Sequence, residues 1–589
     1  MKRIVALILV VFLAISCGSQ KQQIEYLTTF AKAYGYVKYF HPSDEAYAIN
    51  WNQFASYGAN EISNCKNKDD LINTLNHLFK PIAPTIKFMD ENLVTDYNFN
   101  QTRPENLNSY CLTYWQHIGV GLGMVTHPSS SYKSERAVIN CESDEKLLFD
   151  YKPNEEELIS KNIGSGVHCQ IPLVLYKNEN GTFPKADKKS YNELTSNIIY
   201  SGIGLQNLSV RLGNIINTFN VFQHFYPYFD VVDVKWEQEL GKALKQSFYD
   251  KDVNDHIITL EKFTAPLNDG HIAIVGSSNN SFRPKIMWEW IENKLVITRV
   301  LDKEIALQVG DVVTHINGIK AHKYFDEVKS RISAGTKGWL NYIAEHISLL
   351  GRENTIITVR VKGKIVDLTR DVNHSRSMHL FKNNLKDYQM IDDSTTYLNL
   401  DIISMNQINE LLPTLEKSKS IICDLRGYPN ANDELITHFL QSDDTTRAWM
   451  QIPLITYPDY ERTADFLKYD WTYKMKAKKP YLGNKNIVFI IDGRAISYAE
   501  SFLGYIEGYN MATVIGQPSA GTNGDRNQFK LSGGVVVSFT GMKVLKHDRS
   551  QHHGVGILPD IYLEKTIKGV KEGRDEFLEK AIEIAKQKV

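Results

Sequence analysis

The last third of the chain carries four short strand-like runs, TYLNLDI from Thr396, IICDL ending at Leu425, NIVFIIDG from Asn486 and TVIG from Thr513; IICDL and NIVFIIDG open as unbroken apolar runs. Such runs lack the alternating polar face of a half-exposed strand, so they fit strands covered on both sides. Stretches with helical spacing separate them. That alternation predicts an α/β layout with a largely parallel sheet over residues 373–589.

Two of these strand ends carry unusual residues. NIVFIIDG runs into RAISYAESFLGYIEGY, where Ala499, Phe502, Leu503, Ile506 and Tyr509 follow helical spacing. Ser497 therefore falls at a strand-to-helix junction, where free amides and the positive end of the helix dipole stabilise an anion. Alone, Ser497-x-x-Glu500 also reads as a capping box. The other end is Asp424-Leu425-Arg426-Gly427, followed by a turn with Pro429. A glycine there lets the backbone approach a ligand closely and present an amide.

Residues 283–372 form a compact α+β pattern. The strand KLVITRVL leads to VGDVVTHINGI, with a Gly-Asp turn before a strand and Asn-Gly after it. This segment resembles PDZ domains, which take up an extended chain at a sheet edge. Further upstream lies an internal repeat. FAKAYGYVKYFHPSDEAYAINW places Pro42 nine residues before Trp51, and LGNIINTFNVFQHFYPYFDVVDVKW places Pro227 nine before Trp236. A helical stretch ending in Ala-Pro follows each copy, at Ala83-Pro84 and at Ala265-Pro266. Helical domains are therefore expected at 22–89 and 206–282. Only the second copy continues into LNDGHIAIVG. The intervening residues 90–205 hold short alternating runs broken by Gly, Pro, Asn and Ser, the pattern of an inserted antiparallel, sandwich-like β-domain.

At the N-terminus, Lys2 and Arg3 precede an apolar run from Ile4 to Ile15 and then Ser16-Cys17. A basic start, a short apolar core and a small residue describe an export signal over residues 1–17. The run is shorter than the roughly 20 residues of a bilayer-spanning helix. Cys17 resembles the acylated cysteine of a bacterial lipobox, which implies an exported chain, lipid-anchored in the cell envelope of a bacterium. Of the later cysteines, Cys65, Cys111, Cys141, Cys169 and Cys423, none shows CxxC spacing, which argues against a zinc site or disulfide scaffold; an oxidising compartment would permit one or two disulfides, chiefly among Cys111, Cys141 and Cys169. The net charge of -1 gives no electrostatic reason to expect nucleic acid as a partner.

Taken in order, DLRGYPN, the strand plus SYAE, GQPSAGTNGD and GVGILPDI resemble the protease domain of the tail-specific (C-terminal processing) and tricorn-core serine peptidases. The resemblance covers roughly residues 260–570. It implies a ClpP/crotonase-like α/β protease domain beside a PDZ-like domain, and a serine-type endopeptidase acting on peptides or unfolded exported proteins without a cofactor. Ser497 is then the nucleophile, and the amides of Gly427 and Tyr498 form the oxyanion hole. Gly556, Pro559 and Asp560 read as structural.

The sequence departs from the processing proteases at the general base. Their lysine has no counterpart in residues 516–525, where Thr522 and Asn523 stand, and Lys530 comes several residues too late. LNDGHIAIV instead resembles the stretch that supplies a histidine in the tricorn-like branch. His271 is then the base, since a neutral imidazole accepts the serine proton near neutral pH. That branch places an acid before the closing strand, where this chain reads RSQHHGVGILPD. Glu500, Asp269, Asp525 and Asp548 stay open as orienting or supporting acids. Two other classes are weighed against the peptidase. One is a retired peptidase that binds peptide or glycan ligands. The other is a metal hydrolase on His271, His552 and His553, which lacks any metal-binding spacing.

Overall fold

The computed structural model describes residues 2–122, 124, 130–141, 146–199, 204–276, 280–377, 386–446, 449–469 and 474–587. Its N-terminal part is built from α1 (Lys2–Phe40), α2 (Trp51–Ser63), α3 (Lys68–Phe79) and the strand β1 (Lys87–Asp90). Asn50 and Asn67 start α2 and α3 by accepting from the amides of Gln53 and Asp70, which satisfies first-turn donors that have no intrahelical partner. Among the described residues no helix is long and apolar enough to cross a membrane. The Cys17 side chain lies outside the described residues.

β2 (Cys111–Ile118) and β3 (Val167–Pro172) follow, before α4 (Leu208–Phe225), α5 (Trp236–Ser247), α6 (Val253–Thr264) and β4 (Ala273–Val275). The second helical stretch thus repeats the element order of the first: three principal helices, then a short strand. The two do not form separate helical domains. One apolar core joins Phe30, Tyr34 and Phe54 of the first to Ile215, Phe219 and Phe222 of the second, and also takes in Phe529, Val537 and Phe539. The helix Leu208–Phe225 is buried on nearly every side, as a helix without a polar face must be, and elements of both stretches are needed to cover it.

Residues 90–205 do not fold as a self-contained sandwich. β1 and β3 belong to one three-stranded antiparallel sheet. β2 enters a second, seven-stranded sheet, where it pairs with residues 133–139 and 175–178 and with Met450–Ile455 from the C-terminal region. Nearly every residue of β2 is buried, which is how a strand reads when neighbours cover both its faces and its edges. Cys111 is disulfide-bonded to Cys141, and Cys169 is buried as a free thiol.

In residues 283–372, β5 (Ile286–Ile291) is one edge of an antiparallel sheet completed by residues 294–300, 312–316, 356–361 and 364–369. The helix α7 (Lys337–Ile347) packs beside β5. The C-terminal region holds β6 (Ser420–Asp424), β7 (Met450–Ile455), β8 (Asn486–Ile491) and α8 (Tyr498–Gly508). It forms a six-stranded sheet in which β6 lies beside β8, in parallel, with Asp424 opposite Ile490. Both strands are buried almost throughout, as their apolar runs require. Ligand sites in open α/β sheets gather at the carboxyl ends of parallel strands, and that is where Gly427 and Ser497 follow β6 and β8. β9 (Arg526–Lys530) and β10 (Val536–Thr540) form a hairpin, and β4 adds to it with Ala273 opposite Ser538.

Candidate active site

The chain makes an abrupt turn between β8 and α8, and Ser497 occupies its tightest point with φ 59° and ψ -114°. A side-chain-bearing residue is strained there by roughly 1–3 kcal/mol. The surrounding contacts hold it in place. Its amide donates to the Thr522 carbonyl at 2.9 Å and approaches Glu500 Oε2 at 3.3 Å.

Glu500 lies fully buried below this turn. Its carboxylate accepts from Ser519 Oγ at 2.5 Å, the Gly521 amide at 2.7 Å and the Thr522 amide at 2.9 Å. His552 Nε2 lies 3.3 Å from the same carboxylate. Glu500 therefore fastens the 519–522 loop to the start of α8, and its hydrogen bonds do not reach His271. Of the two roles left open for Glu500, orienting or supporting, these contacts are those of a supporting residue. Asp525 is exposed, and Asp548 caps its own turn by accepting from Ser550. His553 stacks on Tyr228 with ring centroids 3.8 Å apart.

The segment bearing His271 reaches the site from the second helical stretch. The Asp269 amide donates to Ser333 Oγ at 2.8 Å, and the Gly270 amide donates to Thr522 Oγ1 at 2.9 Å. A Cβ on Gly270 would stand 2.9 Å from Trp339 Nε1, and 3.1 Å from both Ile496 Cδ1 and Thr522 Oγ1, so close packing selects glycine here. Thr522 thus holds the serine turn through its carbonyl and the histidine segment through its hydroxyl.

His271 is only 8% exposed. Burial lowers its pKa; Asp269 and Glu500 act in the opposite sense and Arg526 in the same sense. Its Nδ1 lies 2.9 Å from Thr540 Oγ1. Asp269, fully buried, accepts from the His271 amide at 2.9 Å and from the Thr540 amide at 2.7 Å, while Thr540 Oγ1 donates to its Oδ1 at 2.7 Å. Pairing of β4 with β10 brings these groups together across 271 residues of sequence. Sequence reading passed over Thr540, because a threonine in the apolar run GVVVSFT reads simply as a strand former.

At the neighbouring strand end, Arg426 bonds both Asp424 and Asp575, and Tyr397 donates to Asp424 at 2.9 Å. The charged residues of the DLRG turn therefore fix its shape. A Cβ on Gly427 would overlap Asp401, 2.2 Å from Oδ2. Burial, with the Asp424 charge nearby, pushes the Asp401 carboxyl up to about 7. Tyr498 donates from its phenol to Asp433 at 2.5 Å, and its ring lies 5.6 Å from that of Tyr428.

Ser497 and His271 line one cleft of about 570 Å³. Ile272, Ile274, Ile332, Trp339, Ile343 and Ile347 give it apolar walls, Tyr428 lies on the Gly427 side, and Glu261, Arg331 and Arg526 supply charge. Among the described contacts no hydrogen bond joins the two side chains; pairs of this type commonly tighten only when substrate is bound.

Comparison with known proteins gives a consistent picture. No curated protein matches the sequence. The fold is similar to that of mature CPAF complexed with lactacystin, at 11% identity and a TM-score of 0.53 over 64% of this chain and 98% of that one. It is also similar to mature CPAF at 11% identity and a TM-score of 0.52, over 64% and 97% of the two chains. The pattern of peptidase family S41 matches residues 394–563, a span that holds Gly427, Ser497, Thr522 and Thr540 but stops short of His271. Residues 394–563 thus carry the pattern of peptidase family S41, within a fold similar to that of mature CPAF.

Proposed function

We propose that the chain is a serine endopeptidase that cleaves peptides or unfolded exported proteins through an acyl-enzyme. The observation that carries this reading is the cleft shared by Ser497 and His271, with the serine on a strained turn at the start of a helix. In this reading His271 takes the proton from Ser497 Oγ as the hydroxyl attacks a scissile carbonyl. The amides of Gly427 and Tyr498 face the resulting oxyanion. Donors fixed in advance favour the developing charge over the neutral carbonyl. His271 then passes the proton to the leaving amine, and water hydrolyses the ester by the same route in reverse.

Glu500 and Thr522 hold the geometry in this scheme. The substrate enters as an extended chain, since only an unfolded segment fits an apolar cleft of this size. The basic leader and Cys17 add an exported, lipid-anchored location to the proposal. The test is digestion of a diverse unstructured peptide mixture, read by mass spectrometry, by the parent protein, Ser497→Ala and His271→Ala. Cleavage by the parent that both substitutions abolish is expected. A folded parent that cuts nothing would favour a retired peptidase that only binds ligands.

A further inference from the structure

We propose that Thr540 is a positioning residue through which Asp269 acts on His271, so that a hydroxyl stands between the carboxylate and the imidazole. The proposal rests on the serine–histidine reading above. It supplies the acid arm that RSQHHGVGILPD lacks.

The argument is one of proton counting. A threonine hydroxyl has one proton to donate and lone pairs with which to accept, whereas an ionised carboxylate only accepts. Thr540 Oγ1 spends its proton on Asp269 Oδ1, 2.7 Å away. Toward His271 Nδ1, 2.9 Å away, it therefore accepts. That places the ring proton on Nδ1 and leaves Nε2 with the lone pair a general base needs. Two further bonds hold Asp269 in this posture, from the amides of His271 and Thr540. All three side chains are buried, so water competes little for these bonds. Of the other candidate acids, Glu500 is committed to the 519–522 loop and Asp548 to Ser550, while Asp525 is exposed.

During attack the serine proton moves from Oγ to Nε2 and the ring becomes a cation. Its Nδ1 proton stays in place, pointing at the oxygen of Thr540, and the Thr540 proton stays on Oγ1, pointing at Asp269. No proton reaches the carboxylate. The Nε2 proton leaves with the amine, and the ring returns to its starting tautomer. The aligned hydroxyl and the carboxylate behind it stabilise the transient cation. Arg526 opposes it and Glu500 assists it from further away.

The experiment uses the full chain with ¹⁵N-labelled histidine, the His271 resonances being assigned by their loss in His271→Gln. In the parent at neutral pH, Nδ1 is expected to carry the proton. Thr540→Ser should keep that tautomer and cleave the peptide mixture within about threefold of the parent rate. Thr540→Val, close in shape but without the hydroxyl, should lose the tautomer preference and lower kcat by about 10–100-fold, within the usual contribution of a positioned base. KM should hold, and the acid limb of its pH profile should move lower as the cation loses support. Asp269→Asn should act in the same direction, and the double variant should be little worse than the more damaging single one. A parent protonated on Nε2, or Thr540→Val with the parent's tautomer and kcat, would overturn the proposal. Because the tautomer is read without substrate, an inactive parent would count against the peptidase reading alone.

Discussion

The two helical stretches have the same order of elements and opposite uses. In the first, the strand after Ala83-Pro84 pairs with Val167–Pro172. In the second, the strand after Ala265-Pro266 joins the Arg526–Lys530 and Val536–Thr540 hairpin, whose last residue is Thr540. That single difference in partner carries His271 into the cleft. A shared scaffold thus sets where a strand leaves the helices, while the sheet it joins decides what its flanking residues can do. Function lies in the few residues at that exit, in keeping with the separation of fold from site.

The contrast breaks most sharply at the residue five positions beyond each proline. His271→Ala should lower kcat by about 10²–10⁴-fold, the usual range for a positioned acid–base group. Met89→Ala, at the matching place in the first stretch, should leave kcat unchanged. Peptide cleavage measured on both variants decides this; a loss in Met89→Ala would show that the first stretch also serves the chemistry.

Glycines sharpen it next. A Cβ on Gly35 would fall 1.8 Å from Asn220 Oδ1, where the two stretches meet. Gly35→Ala should therefore cost about 1–3 kcal/mol, as overpacking usually does, measured by urea unfolding, with kcat per folded molecule unaltered. Gly270→Ala crowds Trp339, Ile496 and Thr522 instead. It should cost activity, about tenfold for a displacement of the base by a few tenths of an ångström, with a smaller change in stability.

The smallest expected signal is in pH. Burial lowers the His271 pKa, so the ring stays neutral and competent at pH values where a free imidazole of pKa near 6.5 is half protonated. Activity should then fall only as pH drops through the lowered value, placing the acid limb below 6.5. An acid limb above 6.5 would mean that a different group, or a stabilised imidazolium, limits the reaction.

What was legible in the sequence follows the range of the interaction that produces it. The buried run NIVFII, the helical spacing after Ser497 and the Pro–Trp spacing of the repeat are local, and each marks an element present in the structure. The DGH segment could be singled out only because LNDGHIAIV resembles a stretch of a known family. The pairing of Cys111–Ile118 with Met450–Ile455 was not legible, since two buried strands more than 300 residues apart carry no mark of each other. The same holds for Thr540 and Asp269, which only the pairing of β4 with β10 brings together. Composition could not separate Cys169 from the cysteines that do pair, because a buried free thiol behaves as a small apolar side chain.

The most direct measurement is the rate at which a fluorophosphonate, which reacts with activated serine hydroxyls, modifies the parent and His271→Ala, with the adduct located by mass spectrometry. The expected result is a single adduct on Ser497 in the parent, formed at least about 100-fold more slowly in His271→Ala. No adduct in the folded parent, an adduct on another residue, or equal rates in the two proteins would contradict the pairing of Ser497 with His271.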